Sequence, residues 1–204
     1  MESNWAAEHL QTIRTLMERS AVYRRALAPI MLFAGATGLV AMGLGLGFDI
    51  NSSRGFCGLW LTAATVAVAG AFLLVRRQAI KDREPFWSPP TRRVALALLP
   101  PFLAGLCLGL LLLVIGHGIE LAVALIWVVF YGCALHAAGF FMPRGIKWFG
   151  WFFILGSCGL FYVFALHLLD FEVNPHELMG FFFGILHLIY GAYLYLTEKG
   201  KNAA

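Results

Sequence analysis

Two histidines of this chain lie among glycines at helical spacing, within long apolar stretches. In the stretch 179–196, Gly180, Gly184, His187 and Gly191 follow one another at steps of four, three and four, so they share one face of a helix. An imidazole on such a face can hydrogen-bond a neighbouring helix, carry a proton or ligate a metal. Burial among apolar residues disfavours the cation, so we expect His187 to be neutral.

A second histidine repeats the arrangement on another apolar stretch. His136 has Gly132 four residues before it and Gly139 three residues after it. His136 and His187 could in principle ligate haem as two axial imidazoles. Their predicted depths below the outer helix ends differ by about seven residues, or roughly 10 Å at 1.5 Å per residue, which suits two ligands of one ring poorly. We therefore favour helix packing for both glycine faces and keep haem as an alternative.

Imidazole and carboxylate side chains also gather near the predicted outer ends of the helices. His167 and Asp170 are three residues apart on one stretch, and such a pair suits a zinc-like ion. The other candidate ligands of this group are His117, Glu120, His176 and Glu177. Acidic residues also accumulate wherever basic residues are excluded, and Asp170 can instead cap a helix end. A metal site is thus an alternative to a structural role.

Long apolar segments must position these residues. The chain has 204 residues, of which 60% are hydrophobic and 13% charged, whereas a soluble domain has about 25% charged residues. Roughly 20 consecutive apolar residues span a bilayer as a helix. Six stretches qualify: 26–47, 56–75, 94–116, 119–142, 148–169 and 178–196. The predicted fold is an all-α, six-span membrane bundle over residues 26–204, without a separate soluble domain.

Residues 1–25 precede the first span and are predicted to form an amphipathic helix. Leu10, Ile13 and Met17 fall on one face, and charged residues fall opposite. The segment is too polar to cross a bilayer, so we expect it to lie along the cytoplasmic headgroups. The alternative is a helix that docks a cytoplasmic partner or a second copy of the chain.

Basic residues are unevenly distributed between the two predicted sides of the bundle. Every Lys and Arg except Arg54 falls on one side when the connections are assigned alternately. The positive-inside rule then places both termini in the cytoplasm, and no cleavable signal peptide is visible. The second connection carries Arg76, Arg77, Lys81, Arg83, Arg92 and Arg93. This cluster sets topology and can also hold anionic lipid headgroups; prolines within it disfavour a continuous helix.

The middle of each predicted span lacks Asp, Glu, Lys and Arg. Proton-coupled transporters usually keep an ionisable group there, so that class is disfavoured unless His187 titrates. Phosphate-binding glycine loops and the common hydrolase motifs are also absent. Pro100 and Pro101 predict a kink or broken turn in the third span, and such breaks can free backbone carbonyls for a site.

Both ends of the chain carry a family resemblance. The stretch 13–24, IRTLMERSAVYR, and the ending LHLIYGAYLYLTEK resemble small uncharacterised bacterial multi-pass membrane proteins. The resemblance implies a bacterial inner membrane and supplies no activity, ligand or catalytic residue.

These observations favour an accessory or regulatory membrane protein without evident catalytic apparatus. It would act through lipid contacts, through a protein partner at the cytoplasmic face or as a homo-oligomer, and we expect no cofactor and no nucleic-acid partner. One alternative is a small channel or carrier for an uncharged or weakly basic solute that uses His187. The other is a haem- or metal-binding membrane protein.

Overall fold

The structure is a computed structural model that describes residues 21–83, 85–115, 119–166 and 173–202. Over these ranges the chain is all-α and forms no strand. The helices are α1 (Ala21–Gly47), α2 (Ser53–Lys81), α3 (Pro89–Ile115), α4 (Glu120–Ala138), α5 (Arg144–Ala165), α6 (Pro175–Met179) and α7 (Leu186–Asn202). A π-helical segment, Gly180–Ile185, joins α6 to α7, and we call this continuous helix the sixth span.

Within the described ranges, six helices are long and apolar enough to cross a membrane: Ala26–Gly47, Ser53–Lys81, Pro89–Val114, Glu120–Ala138, Gly145–Ala165 and Pro175–Thr197. The predicted all-α architecture with six membrane-length helices is therefore confirmed, and it indicates a multi-pass membrane protein. The amphipathic helix predicted for residues 1–25 lies mostly outside the described residues, although α1 already begins at Ala21.

Two helix ends differ from the predicted edges. α2 continues through Arg76 and Arg77 to Lys81, because the first proline of the connection comes only at position 85. The side-chain amide of Gln78 donates to the carboxylate of Asp82 at 2.9 Å, across the end of this helix. α4 ends at Ala138, four residues earlier than the apolar run suggests, and the chain turns there ahead of a proline at 143.

The sixth span is packed between the two halves of the bundle. α1 lies along it, α2 packs on α1, and α3 and α5 both pack on α4. A buried core joins α2, α4, α5 and the sixth span through Phe56, Trp60, Val123, Val128, Phe153 and Phe182. α2 and α3 are consecutive in the chain but scarcely touch. The bundle is therefore closed by α1 on one side of the sixth span and loosely packed between α2 and α3.

The sixth span contains a π-helical segment, and the third span contains two prolines within one continuous helix. α3 stays helical through Pro100 and Pro101, so the broken turn expected there is not formed. Each proline still lacks an N–H, which leaves the carbonyl four residues earlier without its helical donor. The wide turn at Gly180–Ile185 falls directly before His187.

Candidate functional site

A row of glycines brings the sixth span into close contact with α1. Three glycines of the sixth span contact this helix: Gly180 at Met42, Gly184 at Leu39 and Gly191 at Leu32. From the other side, a Cβ added at Gly38 would lie 2.6 Å from the carbonyl carbon of Phe183. Only residues without a side chain allow backbones this close. We call this contact the glycine seam.

His187 lies beside the seam and is almost fully buried, with 1% of its surface exposed. Its Nδ1 is 2.9 Å from the carbonyl oxygen of Phe182. A carbonyl oxygen only accepts, so Nδ1 carries the proton. Nε2 then has the lone pair and accepts from the hydroxyl of Tyr131 at 2.6 Å. These contacts describe a neutral imidazole in the Nδ1–H tautomer, and we call the two side chains the Tyr131–His187 pair.

The π-helical segment explains how the His187 ring reaches the Phe182 carbonyl. In an α-helix a carbonyl accepts from the residue four positions later, whereas in a π-turn it accepts from the fifth. The N–H of Leu186 accordingly bonds to the carbonyl of Phe181. His187 is the fifth residue after Phe182, so the widened turn brings its ring beside that oxygen. Gly180 and Gly184 make the unusual turn easier, because glycine has few steric restrictions.

Aromatic rings surround the Tyr131–His187 pair. The ring of Phe183 lies 4.9 Å from that of Tyr131, and the rings of Phe149 and Phe153 lie 5.2 and 5.5 Å from that of His187. These rings leave little room for water to compete with the 2.6 Å hydrogen bond. The surrounding rings therefore shield this hydrogen bond from competition by solvent.

A cavity of about 280 Å³ lies beside the Tyr131–His187 pair, and both residues line it. α1, α2, α3, α4 and the sixth span all contribute to its wall, which is overwhelmingly apolar. On α2 and α3 the lining includes Ala63, Ala64, Ala67, Pro101, Phe102 and Gly105. The three alanines of α2 and Gly105 of α3 have too little side chain to fill the space between the two helices. The volume is close to the lower limit of about 300 Å³ for typical ligand pockets.

The mouth of the cavity lies between α2 and α3. Ala64 and Val68 both line the cavity, yet both are exposed, Val68 to 62%. Since α2 and α3 scarcely touch, nothing in the described part of the chain covers these positions. In a bilayer they would face hydrocarbon. The cavity is thus open sideways, toward the region that lipid tails occupy.

Polar groups in the lining already use their hydrogens inside the protein. The indole N–H of Trp60 donates to Nδ1 of His176, and that of Trp127 donates to the Gly105 carbonyl, each at 3.1 Å. The hydroxyl of Thr37 donates to the carbonyl four residues earlier at 2.9 Å. The Tyr131 hydroxyl donates to Nε2 of His187, and Nδ1–H of His187 donates to the Phe182 carbonyl. In the described part of the chain, the lining therefore offers hydrogen-bond acceptors and no free side-chain donor.

His176 ties the sixth span to the connection between α1 and α2. Its Nδ1 accepts from Trp60, and its Nε2 donates to the carbonyl of Ile50 at 2.9 Å. Close by, the hydroxyl of Ser53 donates to a carboxylate oxygen of Glu120 at 2.5 Å. Both contacts join helices that are distant in the chain, so they hold this end of the bundle together.

The proposed metal ligands are only partly covered by the structure. His117, His167 and Asp170 lie outside the described residues. His176 uses both ring nitrogens, Glu120 accepts from Ser53, and Glu177 is exposed. Within the described ranges no group of three His, Cys, Asp or Glu side chains could hold an ion. Of the described members of this set, His176 and Glu120 act as structural links.

The second glycine face lies on a different helix pair. A Cβ added at Gly132 would lie 2.8 Å from the carbonyl oxygen of Gly150, so this face of α4 contacts α5. Gly139 contacts Lys147 on the same helix pair. His136 packs edge-on against Trp151 at 5.2 Å. Both ring nitrogens of His187 are engaged in hydrogen bonds, so this arrangement does not fit a haem held between the two histidines.

The six basic residues predicted to hold lipid headgroups are all exposed. Arg76, Arg77 and Lys81 lie in the last turns of α2, and Arg92 and Arg93 lie in the first turns of α3. Arg83 lies in the connection between them. The cluster therefore belongs to the two helices that flank the mouth of the cavity, at one end of the bundle.

Comparison of the chain with protein-family models, with curated proteins and with solved structures found no match. The function is therefore inferred from the site itself. Sequence reasoning selected His187 but missed its partner Tyr131 and the cavity they line. A tyrosine in the middle of a predicted span, next to Gly132, was the available signal.

Proposed function

We propose that this protein is an accessory or regulatory membrane protein that holds an apolar ligand taken from the surrounding bilayer. The cavity carries this proposal, because an apolar chamber whose mouth faces hydrocarbon favours a ligand already dissolved in the membrane. Binding would bury both the ligand and the exposed lining at Ala64 and Val68. An occupied and an empty cavity would present different α2–α3 surfaces to a protein partner or a second copy of the chain.

The polar groups favour holding a ligand over moving or converting one. A carrier that used His187 as a polar waypoint would have to displace Tyr131, since both nitrogens of the imidazole are engaged. Among the lining residues that the structure describes, there is no carboxylate, lysine or arginine that could serve as an acid, a base or a charge partner. For these reasons we rank the carrier below the binding protein.

The orientation and location proposed from the sequence agree with this function. We place both termini in the cytoplasm of a bacterial cell and the bundle in its inner membrane, on the strength of the basic-residue distribution. The basic ends of α2 and α3 would then lie at the cytoplasmic headgroups. There they could retain anionic lipids beside the mouth of the cavity.

Photolabelling tests the proposed function. The protein is reconstituted in phosphatidylcholine nanodiscs with a twelve-carbon alcohol that carries a diazirine, and labelled peptides are mapped by mass spectrometry. We expect labelling of the α2 and α3 segments that line the cavity, and at least tenfold less labelling there in Ala64→Phe, whose ring would occupy the mouth. Ala69→Phe is the matched control, because Ala69 is exposed on α2 outside the lining. Equal labelling of the two variants would refute ligand binding in this cavity.

A further inference from the structure

The hydrogen bonds of the lining restrict what the cavity can recognise. A ligand that brings only acceptors, such as an ether or an ester, meets groups whose hydrogens are already committed. A ligand that brings a donor meets unused lone pairs, because a hydroxyl oxygen that donates once still accepts. Tyr131 and Thr37 both retain such lone pairs. The wall is therefore complementary to a donor.

Charge further limits the ligand. A cationic amine would lose its hydration without gaining a carboxylate from the lining, and an anion would meet no free donor. Either ion would be far more stable at the headgroups. A neutral donor is left, and the common neutral donor of membrane lipids is a hydroxyl group.

Size suggests how such a molecule would lie. At about 30 Å³ for each water-sized unit, the volume of about 280 Å³ holds a hydroxyl head and the carbons next to it. A longer hydrocarbon tail would have to leave through the mouth between α2 and α3, past Ala64 and Val68. The tail would then remain among the lipid chains.

We infer that the ligand is a neutral membrane alcohol whose hydroxyl donates to the oxygen of Tyr131 while its tail extends between α2 and α3 into the bilayer. This inference rests on the proposed function and specifies its ligand class. His187 is a positioning residue in it: because its Nε2 accepts the hydrogen bond of the Tyr131 hydroxyl, the phenolic oxygen faces the ligand as an acceptor.

Competition against the photoactivatable alcohol tests the ligand class. Unlabelled dodecanol and dodecyl methyl ether share the apolar chain and differ in the donor. On the unaltered protein we expect dodecanol to compete roughly three- to tenfold better, the range that one net hydrogen bond supplies. In His187→Leu the Tyr131 hydroxyl loses its acceptor and can donate to the ether oxygen. Dodecyl methyl ether should then compete better, and the preference for dodecanol over the ether should fall to about twofold or less.

The outcomes separate the two proposals. Equal competition by alcohol and ether, with labelling still blocked by Ala64→Phe, would overturn the inference and leave the binding function standing. Labelling that Ala64→Phe does not reduce would overturn both. A preference that persists undiminished in folded His187→Leu would overturn the positioning role of His187. The comparison on the unaltered protein stands even if that variant does not fold.

Single-chain alcohols and diacylglycerols share the hydroxyl, and mass spectrometry of the lipids that co-purify distinguishes them. Either class enriched over the bulk membrane supports the inference, whereas enrichment of phospholipids alone contradicts it.

Discussion

The two sides of the sixth span are built in opposite ways. Toward α1, glycines let backbones approach so closely that a single Cβ at Gly38 would collide with the Phe183 carbonyl group. Toward α2 and α3, aromatic rings and the Tyr131–His187 pair border a space that no side chain fills. The same helix thus has one face that tolerates no added atom and one that leaves room for a ligand. A rigid seam can hold the sixth span in place while the opposite face stays open.

The seam is the place where a small substitution should have the largest effect. Gly38→Ala puts a methyl group 2.6 Å from backbone atoms of Phe183, and backbone cannot move aside as a side-chain tip can. Overpacking of this kind costs about 1–3 kcal/mol. We expect a loss of that size in the free energy of unfolding, measured by denaturant titration in mixed micelles.

Gly43→Ala is the matched control, since it is on the same helix and a Cβ there meets nothing within 4 Å. It should be neutral or stabilising by up to about 1 kcal/mol, because alanine is the better helix former. If Gly38→Ala and Gly43→Ala have the same free energy of unfolding, the seam is not the tightly packed side of the sixth span. The proposed difference between its two sides would then be wrong.

On the cavity side of the sixth span, removing a hydroxyl group should lower the free energy of unfolding less than adding a methyl group at the seam. Tyr131→Phe removes one hydroxyl and leaves Nε2 of His187 without a donor. Hydrogen bonds between membrane helices contribute about 0.6 kcal/mol on average and about 1.7 kcal/mol at most. We expect a loss within that range in the same titration, smaller than that of Gly38→Ala.

Tyr162→Phe provides the control for this change, because Tyr162 is 63% exposed on α5. Its variant should unfold like the unaltered protein. A loss from Tyr131→Phe above about 3 kcal/mol would show that the pair is a main structural support of the bundle, and that the open face is no looser than the seam.

The contrast also separates what the sequence could predict from what it could not. Apolar length alone predicts the six membrane helices, and the 3.6-residue period places Gly180, Gly184 and Gly191 on one face. Periodicity does not say which helix lies opposite, so α1 could not be identified as the partner. The π-turn was also invisible, because it adds a residue to one turn and shifts every later side chain around the axis.

The cavity was out of reach for a different reason. It results from the lack of close packing between α2 and α3. The sequence of neither helix alone indicates that the two will stay apart. Ala63, Ala64 and Ala67 would equally suit a tight helix contact, which is how small residues in membrane helices are usually explained. His187 was selected from the sequence as the polar group of its helix, but its partner Tyr131 is 56 residues away in the chain. Such pairings depend on the tertiary arrangement.

Transport should give the smallest signal. A carrier needs access from both sides of the membrane, whereas this cavity opens sideways, the glycine seam closes the opposite face, and His176 links helices at one end. We therefore expect proteoliposomes to take up glycerol no faster than empty vesicles, measured by stopped-flow light scattering. Uptake above that level which His187→Leu abolishes would establish the carrier instead. It would also mean that the Tyr131–His187 pair opens during turnover, so that the open face would be a pathway and no longer a holding site.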